Sequence, residues 1–135
     1  MAGSRSVYTL KAPHEGNMAT VDVIIGQAQY GEYTVKLYDE QGKNGVEVGS
    51  GNNADTLPDS WDLKDTNGKP LAVAGRLLGW TITIASPDKP DGQFYYARVI
   101  VREGSQSLSS EPIEYSGPLD GAKILIGYGK FGNQP

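Results

Sequence analysis

The stretch from Val48 to Trp61, VGSGNNADTLPDSW, places glycine, asparagine and aspartate ahead of a tryptophan. These residue types suit a phosphate, a metal ion or a sugar. A phosphate-binding loop needs Gly-x-x-x-x-Gly-Lys-Ser/Thr between a strand and a helix. Here the glycines are present without lysine or arginine, and Asp55 and Asp59 would repel a phosphate. The pattern therefore excludes a phosphate-binding loop.

Calcium suits this stretch better, because hard cations bind carboxylate, amide and backbone oxygens. The candidate ligands are Asn53, Asp55 and Asp59. The spacing of an EF-hand is not met, since aligning its central glycine on Gly68 places Leu63 at the first ligand position. The alternative is a solvated loop in which Asn and Asp side chains form turns with their own backbone.

A sugar is the third candidate ligand, because an aromatic face stacks on C–H groups while Asp and Asn bind paired hydroxyls. Trp61 would stack, and polar residues in and beside the loop would form the hydrogen bonds. These polar residues are Asn52, Asn53, Asp55, Asp59 and Asp62. The loop 86–92 would assist. In the alternative interpretation, Trp61 is an anchor that pins the long loop to the core.

Groups suited to catalysis are sparse in this sequence. His14 is the single histidine, and no Gly-x-Ser-x-Gly elbow offers a nucleophile. A glycoside hydrolase needs paired carboxylates with one acid buried in an apolar cleft. Asp22 and Glu114 are the acids within apolar runs, and alternation puts both on outer strand faces. We therefore expect no enzyme, with glycoside hydrolysis as the remaining alternative, and no cofactor beyond calcium.

The run QFYYARVIVRE, residues 93–103, carries two unlike faces. One face is an ordinary core set of Tyr95, Ala97, Val99 and Val101. The opposite face mixes aromatic, aliphatic and basic side chains: Phe94, Tyr96, Arg98, Ile100 and Arg102. Tyrosine and arginine are enriched where proteins meet partners, so this face predicts a protein interface, most simply in a homo-oligomer. The alternative is a central strand that is covered on both sides.

Strands must position all of these groups, because alternation of period two dominates the chain. In AKILIGYG it aligns Ile124, Ile126 and Tyr128. In ATVDVIIG, EYTVKLYDE and GWTITIAS the aligned sets are Val21, Val23 and Ile25, then Tyr33, Val35 and Leu37, then Trp80, Ile82 and Ile84. No stretch shows a sustained helical stripe, so the sequence predicts an all-β chain.

Turn signals separate these runs. YDEQGKNG and KDTNGKP share Asp-x-x-Gly-Lys, and the Asn67-Gly68 pair favours a tight turn. The segment Tyr95 to Ile113 resembles the closing hairpin of an immunoglobulin-like or fibronectin-III-like domain. We predict one domain over residues 1–135, an antiparallel β-sandwich, immunoglobulin-like or jelly-roll-like, of about seven to nine strands.

The composition of the chain excludes several classes of function. The net charge of −4, with Lys and Arg scattered singly, argues against nucleic acid, and no apolar stretch would span a membrane. The absence of cysteine excludes disulfides and thiol catalysis. No secretory signal is visible, so we expect a cytoplasmic protein, or a secreted or surface one if a leader has been removed. The sequence favours a lectin-like module that binds a carbohydrate or a protein, with a homo-oligomeric structural subunit as the alternative.

Overall fold

The computed structural model describes residues 6–26, 30–52, 59–85, 94–118 and 121–133. These ranges contain ten β-strands and no helix, so the all-β prediction is confirmed. None of the described segments forms a helix long and apolar enough to cross a membrane. The strands are β1 (Ser6–Leu10), β2 (Ala19–Ile25), β3 (Tyr30–Tyr38), β4 (Val46–Asn52), β5 (Asp59–Asp62), β6 (Leu77–Ala85), β7 (Phe94–Glu103), β8 (Gln106–Ser107), β9 (Ile113–Pro118) and β10 (Ala122–Phe131).

The predicted strand count of seven to nine is wrong, because very short strands form in stretches without clear alternation. Strand β5 comes from the DSWD end of the loop and pairs antiparallel with β2. Strand β8 has two residues and pairs with the end of β7. Both are held by a longer neighbour and carry too few residues to show a period of two.

The strands form two five-stranded sheets. Sheet A has the order β1-β10-β6-β3-β4, and sheet B has the order β5-β2-β7, with β8 and β9 both paired to β7. All pairs are antiparallel except β1 with β10, which run parallel. A register shift interrupts the β3–β4 ladder between Val35 and Lys36.

One hydrophobic cluster draws side chains from both sheets. The aligned sets of β2, β3 and β6 and the predicted core face of β7 are all buried in it. Trp80 of β6, at 2% exposure, is the largest fully enclosed side chain, and its indole N–H donates to the hydroxyl of Tyr115 on β9 at 3.0 Å.

Strand β10 reverses the faces that its hydrophobic residues suggest. Leu125 and Phe131 are buried, whereas the aligned set Ile124, Ile126 and Tyr128 lies on the outer face. Glycines at 127 and 129 occupy the inner face between those two buried residues. A Cβ placed on Gly127 would lie 2.3 Å from the Tyr115 hydroxyl oxygen and 2.5 Å from Trp80 Nε1. Large neighbours therefore fill the space that a side chain would need.

The two Asp-x-x-Gly-Lys segments form matching turns, as predicted. In each turn the aspartate, Asp39 or Asp65, accepts hydrogen bonds from the backbone N–H groups two and four residues later, at 2.8–2.9 Å. The glycines, Gly42 and Gly68, adopt φ of 77° and 82°, a region that glycine enters without strain.

Candidate functional site

The structure separates the predicted loop residues onto the two faces of β5. Asp59 and Trp61 face inward and are partly buried, whereas Asp62 is exposed on the outer face. Asn52 is exposed at the end of β4. Asn53 and Asp55 lie outside the described residues, as does the loop 86–92. The described loop residues are therefore not gathered on one surface.

The hydroxyl of Tyr33 joins Asp59 to Trp61. It donates to Asp59 Oδ2 at 2.5 Å and accepts from Trp61 Nε1 at 2.7 Å. Burial and the bond to Asp59 raise the pKa of Tyr33. One face of the indole is covered by Gly49, where an added Cβ would lie 2.2 Å from Trp61 Cδ2. Trp61 also packs on the core cluster, which is the arrangement of an anchor.

The outer face of β5 joins a polar network on β2 and β7. Asp62 accepts a hydrogen bond from Thr20 Oγ1 at 2.8 Å. Asp22 accepts two bonds from Arg102, at 2.7 and 3.1 Å, and one from Ser60 at 2.5 Å. Burial opposes ionisation of Asp22, but these bonds and the arginine charge outweigh it and lower the pKa of the carboxyl. The network fits a structural cross-link between three strands.

No group of three or more potential metal ligands of the His, Cys, Asp and Glu types occurs within the described ranges. Two of the three candidate calcium ligands, Asn53 and Asp55, fall outside those ranges. The third, Asp59, is hydrogen-bonded to Tyr33. The calcium hypothesis thus depends on residues beyond the described part of the chain.

The predicted interface on β7 continues the outer face of sheet B. Phe94 is 65% exposed and Tyr96 is 37% exposed, whereas Arg98, Ile100 and Arg102 are intermediate. The Tyr96 hydroxyl donates to Glu114 of β9 at 3.1 Å. Strand β7 is indeed central, between β2 and β9, yet its aromatic end reaches solvent.

His14 lies at one end of the molecule and is 75% exposed at its side chain. Its Nδ1 is 3.2 Å from Glu103 Oε2, and Asn17 Nδ2 donates to the same oxygen at 2.6 Å. The bond from Asn17, with those from His14, lowers the pKa of Glu103 although desolvation opposes the shift. A crevice of about 490 Å³ beside this pair is lined largely by loop residues and strand ends. These contacts connect the loop that contains His14 and Asn17 to the end of β7.

A cavity of about 290 Å³ opens on the outer face of sheet A. Side chains from three adjacent strands surround it in two rows of the sheet. The row of Lys36, Gly79 and Tyr128 lies beside the row of Thr34, Thr81 and Ile126, with Tyr38 at the near end.

Gly79 forms the floor of this cavity. A Cβ placed there would lie 3.0 Å from Tyr38 Cε2 and 3.1 Å from Tyr128 Cε1. The two tyrosine rings therefore lie over the backbone of Gly79 and fill the space that a side chain there would need. Alternation in the sequence does not predict this cavity, because it groups Ile126 and Tyr128 on one strand face without giving the direction of that face. The available signal was Gly79, since a glycine inside a strand often marks a close approach.

Comparison with known proteins gives no relative. No protein-family model, no curated protein sequence and no solved structure matches this chain. Function must therefore be argued from the geometry of the site.

Proposed function

We propose that this protein is a non-catalytic carbohydrate-binding module and that the cavity over Gly79 is its sugar site. The observation that carries the proposal is the pair of tyrosine rings, Tyr38 and Tyr128, that lie together over Gly79 on the outer face of sheet A. Aromatic rings stack on the C–H faces of sugars, while nearby polar groups bind hydroxyls. Thr34 and Thr81 supply such hydroxyl groups in the adjacent row.

The cavity suits a ligand better than the described part of the loop does. A stacking aromatic needs an accessible face, and one face of Trp61 is already covered by Gly49. The indole N–H is also engaged by Tyr33. We therefore assign Trp61 to scaffolding. The loop residues Asn53, Asp55 and Asp59 keep their proposed role as calcium ligands or secondary contacts.

We propose further that the two sheets pack face to face as a β-sandwich. The shared core cluster supports this packing, and so do three side-chain bonds between the sheets: Tyr33 to Asp59, Trp61 to Tyr33 and Trp80 to Tyr115. The connectivity favours a jelly-roll-like arrangement over an immunoglobulin-like one. The chain passes from one sheet to the other at most of its connections, and few strands pair with their neighbours in sequence.

The sugar site can be tested by native gel electrophoresis through soluble β-glucan, xylan, mannan and pectin, followed by a glycan microarray. We expect retardation by at least one polysaccharide.

Tyr38→Ala and Tyr128→Ala should each weaken binding about tenfold, because a stacking surface is removed. Gly79→Val should do the same, because its side chain would displace both tyrosine rings. Tyr30→Ala is the matched control, since this tyrosine is 65% exposed at the far end of the same strand. The proposal would be refuted if all four variants bound equally, or if no polysaccharide retarded the protein and no glycan on the array bound it.

A second candidate function is assembly, supported by the exposed aromatic end of the sheet B outer face. Phe94 and Tyr96 lie side by side along the strand direction on that face, with Ile100 further along. Light scattering after size exclusion, with calcium and with chelator, separates the candidates. A dimer in both buffers that Phe94→Ser dissociates, with no glycan bound, would favour the structural subunit. A monomer of 14.5 kDa would favour the binding module.

A further inference from the structure

Lys36 brings a positive charge to the sugar cavity. Lys36 is exposed. Among the described residues that line this cavity, it is the only charged one. Its neighbour Lys130, in the next row of the sheet, has an ammonium held by the carbonyl oxygens of Gly75 and Glu40, at 2.6 and 3.3 Å. No hydrogen bond or ion pair with a described residue holds Lys36 in the same way. Its ammonium is available to a ligand.

The strand register sets the neighbours of Lys36 among the described residues. The register shift after Val35 sets Lys36 opposite Glu47 on the edge strand β4. Glu47 nevertheless accepts a hydrogen bond from Ser50 Oγ at 3.4 Å, and it forms no salt bridge with Lys36. On its other side Lys36 faces Gly79, which has no side chain to interact with. Lys36 thus lies between Glu47 and Gly79, and the rings of Tyr38 and Tyr128 cover the outer side of Gly79.

We propose that the ligand is an acidic sugar, a uronic acid whose carboxylate pairs with Lys36 while its ring stacks on the tyrosine rings that cover Gly79. This inference rests on the proposed function of the same cavity. A carboxylate bound to an ammonium forms a charge-assisted hydrogen bond, which is stronger than a hydroxyl contact. The net charge of −4 does not prevent such binding, because charges beyond about 10 Å are largely screened at physiological salt.

The test uses two matched pairs of β-1,4-linked trisaccharides, measured by calorimetry. One pair is trimannuronate against mannotriose, and the other is triglucuronate against cellotriose. We expect at least one acidic member to bind about tenfold more tightly than its neutral partner, with a preference that decreases at high salt. Lys36→Met should bring the ratio of acidic to neutral affinity close to one, and Lys36→Arg should retain most of it.

Two further variants sharpen the test. Glu47→Gln removes the opposing charge and should raise affinity for the acidic sugar a few-fold, the opposite sign to Lys36→Met. Lys64→Met removes an exposed lysine that does not line the cavity and should change neither affinity. Neutral sugars bound as tightly as acidic ones, with a ratio indifferent to Lys36→Met, would overturn the inference and leave the carbohydrate module standing. Binding of none of the four sugars, together with no polysaccharide retained in the gels, would overturn both.

Discussion

At the scale of single residues, the hydroxyl of Tyr33 makes hydrogen bonds across the two sheets. Tyr33 belongs to β3 of sheet A, while its partners Asp59 and Trp61 belong to β5 of sheet B. Tyr33→Phe keeps the ring and removes the group that satisfies both partners. A partly buried donor and acceptor left without a partner cost about 1–3 kcal/mol. We expect that loss of unfolding free energy in urea denaturation followed by circular dichroism. Tyr30→Phe, on an exposed ring of the same strand, should stay within about 0.5 kcal/mol, and equal losses in both variants would contradict the role given to Tyr33.

The carboxylate of Asp22 should make stability depend on pH. Bonds from Arg102 and Ser60 prevail over burial and lower its pKa in the folded state. A lowered folded-state pKa adds stability above the unfolded value of about 4, and that stability is lost as the pH falls through the folded value. The free energy of unfolding should therefore fall more steeply between about pH 5 and pH 2 in the wild type than in Asp22→Asn. Glu15→Gln, at an exposed turn position, is the control, and parallel curves for Asp22→Asn and the wild type would exclude the linkage.

Residue faces could be read from the sequence, but their partners could not. Alternation placed Asp22 on an outer face, and the structure agrees. Its partners Ser60 and Arg102 are 38 and 80 residues away along the chain, so their pairing depends on strand order. The same holds for the sugar cavity, in which Tyr38 and Tyr128 meet only because β3 and β10 both flank β6. A single sequence shows which side chains share a strand face, whereas the sheet decides which faces meet.

At the scale of an element, β10 shows how hydrophobicity alone can mislead. Its outward residues are more hydrophobic than the glycines on its inner face, because the core space there is filled by Trp80 and Leu10 from the neighbouring strands and by Tyr115 from sheet B. Alternation correctly placed Ile124, Ile126 and Tyr128 on one face, but it did not show that this face points outward. The other aligned strands have inner positions large enough to fill their own share of the core, so period and direction agreed.

Because the glycines of β10 face the core and its isoleucine at 124 faces solvent, a change at Gly127 should destabilise the protein more than a change at Ile124. Gly127→Ala adds a methyl group 2.3 Å from the Tyr115 hydroxyl, against the Trp80 bond. Overpacking of this kind costs about 1–3 kcal/mol. Ile124→Thr changes a side chain that is 59% exposed and should stay within about 0.5 kcal/mol. Thermal and urea unfolding of the two variants would show the contrast, and a larger loss for Ile124→Thr would mean that the outer face of β10 is covered.

At the scale of the whole molecule, the first and last of the described strands pair with each other. The first strand, β1, runs parallel to the last strand, β10, at one edge of sheet A, and the chain visits sheet B several times between them. The sequence predicted many strands, tight turns and one domain, but it held no signal for this parallel pair. Such a pairing joins segments far apart along the chain, and contacts of this non-local kind are associated with slower folding.

Because both sheets contribute to one core cluster, neither should unfold alone. The chain has two tryptophans, and the structure places one in each sheet, Trp61 on β5 and Trp80 on β6. Trp61→Phe and Trp80→Phe therefore create single-tryptophan reporters for sheet A and sheet B in turn. In each variant the fluorescence transition in urea should coincide with the circular dichroism transition, as two-state unfolding requires. The comparison is made within a variant, so a stability loss caused by the substitution itself does not disturb it. Fluorescence and circular dichroism midpoints that separate in either variant would show that one sheet can melt while the other persists, which a shared core does not permit.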